Sequence, residues 1–227
     1  MKLFLLLLMT PMVCFTQAQY ELVYNKKASI RLAVLDSGVD HNYLSGVKLC
    51  DNPFQDMTGS GIRDEFGHGS NILKLATKDL ENVDYCVTII KIFTKSTDNS
   101  IYSIIKGLIY ARNNNFTVAN LSFGGVNSEI DLEKQLITEM LDLGVKLFVA
   151  AGNERTNLSK THCNYFPACY DDRIISVGST TGTYSNYGPY IKAWNDGTDI
   201  TAGGHKMSGT SQATAIETNK FLKSFGR

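Results

Sequence analysis

From Ile30 onward, short apolar runs alternate with amphipathic stretches of helical period. Each crossover helix returns the chain to begin the next strand in the same direction, so such a pattern predicts an α/β fold with a mostly parallel central sheet flanked by helices. Ile30 to Leu35 is an apolar run that stops at the turn Asp36-Ser37-Gly38. Val83 to Phe93, Phe116 to Leu121, Val145 to Ala150 and Ile174 to Val177 read as further buried strands. Between them, Ile101, Ile104, Ile105, Leu108 and Ile109 recur at helical spacing ahead of a run of asparagines. Leu132, Leu136, Ile137, Met140 and Leu141 mark a second helix, with Ser128 as its cap and Gly144 as its stop. Past Pro167 the chain is rich in glycine turns until a last helical segment, Thr210 to Phe221. Ligands of such sheets sit beyond the carboxyl ends of the strands, where Asp36, Ser122 and Asn153 fall. The first strand is not followed by the G-x-G-x-x-G phosphate turn, which argues against a dinucleotide site.

Residues 1–18 stand outside this pattern and read as a secretory signal peptide. Lys2 supplies a positive start, Leu3 to Met9 an apolar run, and Thr16-Gln17-Ala18 a small-residue cleavage site. The apolar stretch ends near Phe15, short of the ~20 residues a spanning helix needs, and Pro11 interrupts it. The expected mature chain therefore starts at Gln19, with residues 19–29 as a short N-terminal segment and 30–227 as one domain, secreted or periplasmic. Cys14 leaves with the signal. Cys50, Cys86, Cys163 and Cys169 then enter an oxidising compartment as an even set, which favours two disulfides. Cys163 and Cys169 are close in sequence around Pro167, and Cys50 with Cys86 follows by elimination among three connectivities. Zinc is the competing reading, although no C-x-x-C pair is present. With 22 basic and 22 acidic residues the net charge is zero, without the basic footprint of a nucleic-acid or anionic-membrane binder.

Four segments carry the chemistry: Ala33 to Asp40 (AVLDSGVD), Gly67-His68-Gly69-Ser70, Val149-Ala150-Ala151-Gly152-Asn153, and Ser208-Gly209-Thr210-Ser211-Gln212-Ala213-Thr214. Small neighbours leave the Ser211 hydroxyl approachable at a helix start, where developing negative charge is favoured. His68, between glycines, titrates near working pH and suits a general base. Asp36, at a strand end, can hold the imidazole tautomer. Asn153 follows small residues and can donate an amide N–H to an oxyanion beside the Ser211 backbone N–H. Taken singly, each has a plainer role: helix cap, surface histidine in a glycine turn, or turn residue. His41, His162 and His205 read as surface histidines of that kind.

Together, in this order, the four segments resemble the subtilisin-like serine proteases over the whole domain. The resemblance implies a three-layer subtilisin-like fold and an Asp36/His68/Ser211 triad acting through an acyl-enzyme, with no organic cofactor. It also implies an extended polypeptide substrate added as a strand along Ser122-Phe123-Gly124-Gly125 and the stretch near Asn99 to Tyr102, opposite Ala151 and Gly152. Tyr165 would stand near the base of the main specificity pocket, where a bulky ring favours small residues before the scissile bond.

The chain departs from the family pattern at Ser70, Asn71, Gln212 and Ala215, where relatives read G-H-G-T-H-V and G-T-S-M-A-x-P. Gln212 places a polar group where an apolar one packs, and Ala215 lacks a proline's helix-start preference, so local stability is the expected cost. The segment before the first strand is too short for an inhibitory pro-segment, which fits either unaided folding or a separate protein inhibitor. The family's strong calcium loop is shortened between Ala76 and Asp84, leaving Asp79, Glu81 and Asp84 as weak ligands at most. A monomer is expected. The rival readings are a fold-keeping peptide-binding protein that hydrolyses nothing, and an esterase.

Overall fold

The computed structural model describes residues 21–95 and 101–226. The expected signal peptide, residues 1–18, and Gln19 lie outside these residues, as do Asn99 and Ser100 of the expected substrate edge. Eight strands form the central sheet: β1 (Val23–Tyr24), β2 (Ile30–Asp36), β3 (Lys48–Asp56), β4 (Tyr85–Lys91), β5 (Val118–Leu121), β7 (Lys146–Ala150), β9 (Ile175–Ser179) and β10 (Ala193–Asn195). Two antiparallel pairs lie apart from it, β6 (Gly125–Val126) with β8 (Tyr165–Phe166) and β11 (Ile200–Ala202) with β12 (His205–Met207). The order across the sheet is β1-β3-β4-β2-β5-β7-β9-β10, and every neighbouring pair is parallel. Four helices cover it: α1 (His68–Ala76), α2 (Ile101–Asn113), α3 (Asp131–Asp142) and α4 (Thr210–Lys223).

Burial on both faces explains why β2 reads as a continuous apolar run rather than an alternation. Leu32 and Val34 pack with Ile72 and Leu73 of α1 and Ala215 and Leu222 of α4. Ala33 and Leu35 pack on the opposite face, with Leu108 of α2 and Ile137 and Met140 of α3. Burying Leu32 and Leu35 is worth about 1.5–3 kcal/mol each, so both layers hold the strand that ends in Asp36.

Several expectations need correcting. Ser128 does not cap α3: its hydroxyl donates to the Gly125 carbonyl at 2.8 Å, and the residue before the helix is Ile130. Leu132 of the expected stripe is 46% exposed, while Leu136, Ile137, Met140 and Leu141 are buried. Position 215 lies inside α4, not at its start, so a proline there would remove an interior helical donor. Strand β3 was not foreshadowed by periodicity, because it carries Asp51-Asn52-Pro53 and shifts register against β4 between Leu49 and Phe54.

The cysteines are joined as Cys50–Cys86, linking β3 to β4, and Cys163–Cys169, closing the loop that carries β8. The zinc reading is thereby set aside. Among the described residues no group of three or more His, Cys, Asp or Glu is arranged to hold a metal ion. Asp84 accepts hydrogen bonds from Asn25 and the Ser29 amide, and Asp79 pairs with Lys223 at 3.6 Å. No helix of the described residues is long and apolar enough to cross a membrane.

Candidate active site

Strands β2, β5 and β7 run parallel in the middle of the sheet, so their carboxyl ends deliver Asp36, Ser122 and Asn153 to one edge. Helices α1 and α4 begin at the same edge and bring His68 and Ser211, the first and second residues of their helices.

Asp36 is buried, and its Oδ1 accepts from the Ser37 amide at 2.8 Å and from His68 Nδ1 at 2.7 Å. Its Oδ2 is buried with no hydrogen bond among the described residues. With Nδ1 protonated by this contact, the neutral ring leaves Nε2 as the basic nitrogen. The His68 side chain is 30% exposed. Burial pushes its imidazole down, but the charge and hydrogen bond of Asp36, with the charge of Asp64, hold it above its ordinary value.

The glycines beside His68 have different reasons: a left-handed backbone at Gly67 and close backbone contact at Gly69. Gly67 takes φ +77°, and a Cβ there would fall 2.2 Å from Nε2 of His205; one on Gly69 would fall 2.2 Å from the Gly38 carbonyl oxygen. His205 is exposed, as expected of a surface histidine, and its ring lies over the turn that presents His68.

Asp64 escaped the sequence reading. This buried carboxylate accepts from the Ser37 hydroxyl (2.9 Å) and the amides of Phe66 (3.0 Å), Gly67 (2.9 Å) and Ser70 (2.8 Å), while the Ser37 hydroxyl accepts from the Gly69 amide at 2.9 Å. It ties the start of α1 to the end of β2. Asking what satisfies the first N–H groups of the predicted helix would have pointed to an acidic residue just upstream.

Ser211 is 9% exposed. Its hydroxyl donates to the Ser122 carbonyl at 3.0 Å rather than to His68, and the Ser122 hydroxyl donates back to the Ser211 carbonyl at 3.1 Å. Contacts between a nucleophile and its base are commonly loose before substrate arrives. Asn153 Oδ1 accepts from the Thr210 amide at 2.8 Å, which fixes the amide plane and leaves Nδ2 as the free donor. The Ser211 N–H belongs to the first turn of α4, whose amides have no partner within the helix.

Tyr165 fills the space between the loops after β5 and β7. A Cβ on Gly124 would fall 2.5 Å from Tyr165 Cε1, and one on Gly152, where φ is +100°, would fall 2.5 Å from Tyr165 Cε2. The ring therefore separates Ser122-Phe123-Gly124 from Ala151-Gly152-Asn153. Strand β8 holds it there by pairing Tyr165 with Val126. Phe123 meets Phe93 edge to face at 5.4 Å, beside an open groove of about 310 Å³ lined by Asp36, His68, Phe66 and Ser122. Of the expected substrate residues, Ser122 lines that groove, while Tyr165 and Ala151 are buried.

The subtilase family model matches residues 27–221. A subtilisin from Bacillus pumilus is 27% identical over 82% of this chain and 73% of its own length. Subtilisin J of Geobacillus stearothermophilus is 27% identical over the same share of this chain but only 53% of its own, so the chain spans about half that relative. The major intracellular serine protease of Bacillus subtilis is 28% identical over 69% of this chain and 52% of its own length. Among solved structures, a cold-adapted subtilisin-like serine proteinase superposes with TM-score 0.69 at 21% identity, covering 91% of this chain and 78% of that one. A lanthipeptide protease superposes with TM-score 0.72 at 20% identity, covering 85% and 72%. The chain accordingly belongs to the subtilase family, the serine-type endopeptidases of peptidase family S8.

Proposed function

We propose that this chain is a secreted or periplasmic serine endopeptidase that cleaves extended polypeptides through Asp36, His68 and Ser211. The observation that carries the reading is the 2.7 Å contact of His68 Nδ1 with buried Asp36, at the strand edge where α4 presents Ser211. In this reading Ser211 Oγ attacks the scissile carbonyl carbon while His68 Nε2 takes its proton. Asn153 Nδ2 and the Ser211 N–H donate to the resulting oxyanion. Collapse breaks the C–N bond, His68 returns the proton to the departing amine, and an acyl-enzyme remains. Water, deprotonated by His68, then attacks the ester, and the acid leaves as Ser211 regains its proton.

The two disulfides support an oxidising compartment. Substrate backbone pairs with Ser122 to Gly125 largely regardless of sequence. Tyr165, occupying the space between the facing loops, restricts the residue before the scissile bond to small side chains. The enzyme works as a monomer without an organic cofactor, and a separate protein inhibitor is the partner that could restrain it.

One observation favours a second reading, that of a peptide-binding protein that does not hydrolyse: the Ser211 hydroxyl is engaged by the Ser122 carbonyl. Labelling with a fluorophosphonate decides between them. Labelling of the folded wild type, absent from Ser211→Ala and from unfolded protein, is expected; a folded wild type that stays unlabelled would overturn the hydrolytic reading. Activity on peptides against simple esters separates an esterase.

A further inference from the structure

Three side-chain amides, those of Asn71, Gln212 and Asn153, lie around the start of α4, and their hydrogen bonds decide which way each one faces. Asn71 Nδ2 donates to the carbonyls of Ala202 and His205, each at 3.0 Å, so its Oδ1 is the end that meets Gln212. Gln212 Nε2 donates to that oxygen at 3.1 Å, which turns Gln212 Oε1 the other way. At the far end the Thr210 amide donates to Asn153 Oδ1, leaving Nδ2 with two N–H groups to place. Gln212 Oε1 and Asn153 Nδ2 flank the same point: a Cβ on Gly209 would lie 3.1 Å from the first and 3.5 Å from the second. Gly209 is itself buried, two residues before Ser211. Gln212 is 1% exposed, and among the described residues its Oε1 accepts no hydrogen bond. A buried acceptor without a donor thus stands beside a donor that has one N–H more than an oxyanion takes.

We infer that Gln212 is a positioning residue of the oxyanion site, its Oε1 accepting one Nδ2 hydrogen of Asn153 while the other is given to the oxyanion. The inference rests on the endopeptidase reading, in which Asn153 serves the oxyanion, and deepens it by naming what aims that donor. Gln212 acts through Asn153 and not on the reacting atoms. An Nδ2 group held only through its own Oδ1 can still tilt its N–H groups away from the cleft. Bonded on both sides, it presents one N–H in a fixed direction, and such preorganisation favours charge that exists only in the transition state. Hydrogen bonds in series also polarise one another, so an acceptor behind Nδ2 makes its other hydrogen a stronger donor. The series is firmly anchored: Asn71 is fully buried in α1, and its two carbonyl partners lie on β11 and β12, the hairpin that leads into Ser211. A methionine at 212 would fill similar space and offer Nδ2 only a weak acceptor.

The test compares the mature wild type, Gln212→Met, Asn153→Leu and the double variant on one peptide substrate, under conditions where urea unfolding shows each protein to be folded. Gln212→Met is expected to lower kcat about ten-fold with KM within about two-fold, because the contact it removes matters only once the oxyanion exists. In the Asn153→Leu background the same substitution should change kcat by less than about two-fold, since the residue it acts through has gone. A loss of stability alone produces neither pattern. The Asn153 side-chain amide gives a second readout, by proton–nitrogen NMR of the adduct with a peptide aldehyde. There Ser211 Oγ adds to the aldehyde carbon, its proton passes to His68, and the hemiacetal oxygen stands in for the oxyanion. Both Nδ2 hydrogens should move downfield on adduct formation in the wild type, and only one in Gln212→Met. An unchanged kcat in Gln212→Met, an equal fall in both backgrounds, or a wild-type adduct in which only one hydrogen moves overturns the inference. Failure of the endopeptidase reading looks different: the wild type then hydrolyses no peptide and forms no adduct, and the inference falls with it.

Discussion

Gln212 Nε2 donates to Asn71 Oδ1 at 3.1 Å, joining the two helices that present Ser211 and His68. Both side chains are buried, and Asn71 Nδ2 continues the link to the carbonyls of Ala202 and His205, each at 3.0 Å. These are two of the positions at which the chain departs from the family pattern, and they satisfy each other. The stability cost expected of a polar residue at 212 is therefore offset by its partner.

Removing Gln212 leaves Asn71 Oδ1 buried without this donor, and removing Asn71 leaves Gln212 Nε2 buried without this acceptor. Gln212→Met is expected to cost about 1–3 kcal/mol in urea unfolding, and Asn71→Leu at least as much, since it also removes the donor shared by the Ile200, Ala202 and His205 carbonyls. The double variant should lose less than the sum, with a coupling of at least about 0.5 kcal/mol. Strict additivity would show that the hydrogen bond contributes nothing.

His68 makes a prediction about pH. A raised imidazole value favours the protonated ring, whereas catalysis needs the neutral one, so activity is present above that value and lost as pH falls through it. The acid limb of kcat/KM should have its midpoint above the ordinary 6.5. Asp36→Asn removes the largest raising influence and leaves burial, which acts downward, so the limb of the residual activity should move to lower pH. The rate itself should drop by about 10⁴. A limb that stays in place in Asp36→Asn would detach that carboxylate from the titration.

Tyr165 can be tested by taking its ring away. Tyr165→Ala opens the space between Gly124 and Gly152, so the preferred residue before the scissile bond should shift from alanine toward phenylalanine or leucine. The ratio of kcat/KM values should change by at least about ten-fold. The substitution should also cost about 3–5 kcal/mol as a cavity is left, so the assay belongs well below the unfolding temperature. A wild type that already cleaves best after phenylalanine or leucine would refute the role given to the ring.

Much of this arrangement is legible in the amino-acid sequence. The strands that end in Asp36, Ser122 and Asn153 are buried on both faces, and that burial writes itself as apolar runs in the sequence. What escaped notice depends on contacts between segments distant in the chain. Asp64 reads as one more loop acid until the unpaired amides of α1 are counted, and Asn71 with Gln212 read as blemishes until the chain brings together two positions 141 apart in sequence. Ser128 had the chemistry of a cap, but the β6–β8 pairing turns it toward Gly125. Strand β3 hides because Asp51-Asn52-Pro53 imitates a turn.

The two disulfides should differ in what they stabilise. Cys50–Cys86 spans 36 residues and Cys163–Cys169 only 6, so chain entropy assigns them about 4 and about 2 kcal/mol. Replacing each pair with alanine and unfolding in urea should give that order. Because the shorter loop carries Tyr165 and β8, its loss should also relax selectivity at the scissile bond, whereas loss of Cys50–Cys86 should leave selectivity unchanged. The opposite pattern would mean that Tyr165 is held by β8 alone.

Asn153 makes the most direct statement about transition-state binding. Its Oδ1 is committed to the Thr210 amide, so only Nδ2 can serve an oxyanion, and that charge exists only once Ser211 has attacked. Asn153→Leu should therefore lower kcat by about 10²–10³, the range found for such a donor in subtilisin, with KM little changed. Asn153→Asp keeps the shape but replaces the donor with a charge of the wrong sign, and should be at least as slow. The Thr210 bond adds a control, because loss of Oδ1 in Asn153→Leu also loosens the start of α4. Fluorophosphonate labelling and urea unfolding of Asn153→Asp, whose carboxylate can still accept from Thr210, separate the two effects. If Asn153→Asp turns over as fast as the wild type, Nδ2 has no part in the reaction, and the oxyanion must be held by the Ser211 amide alone.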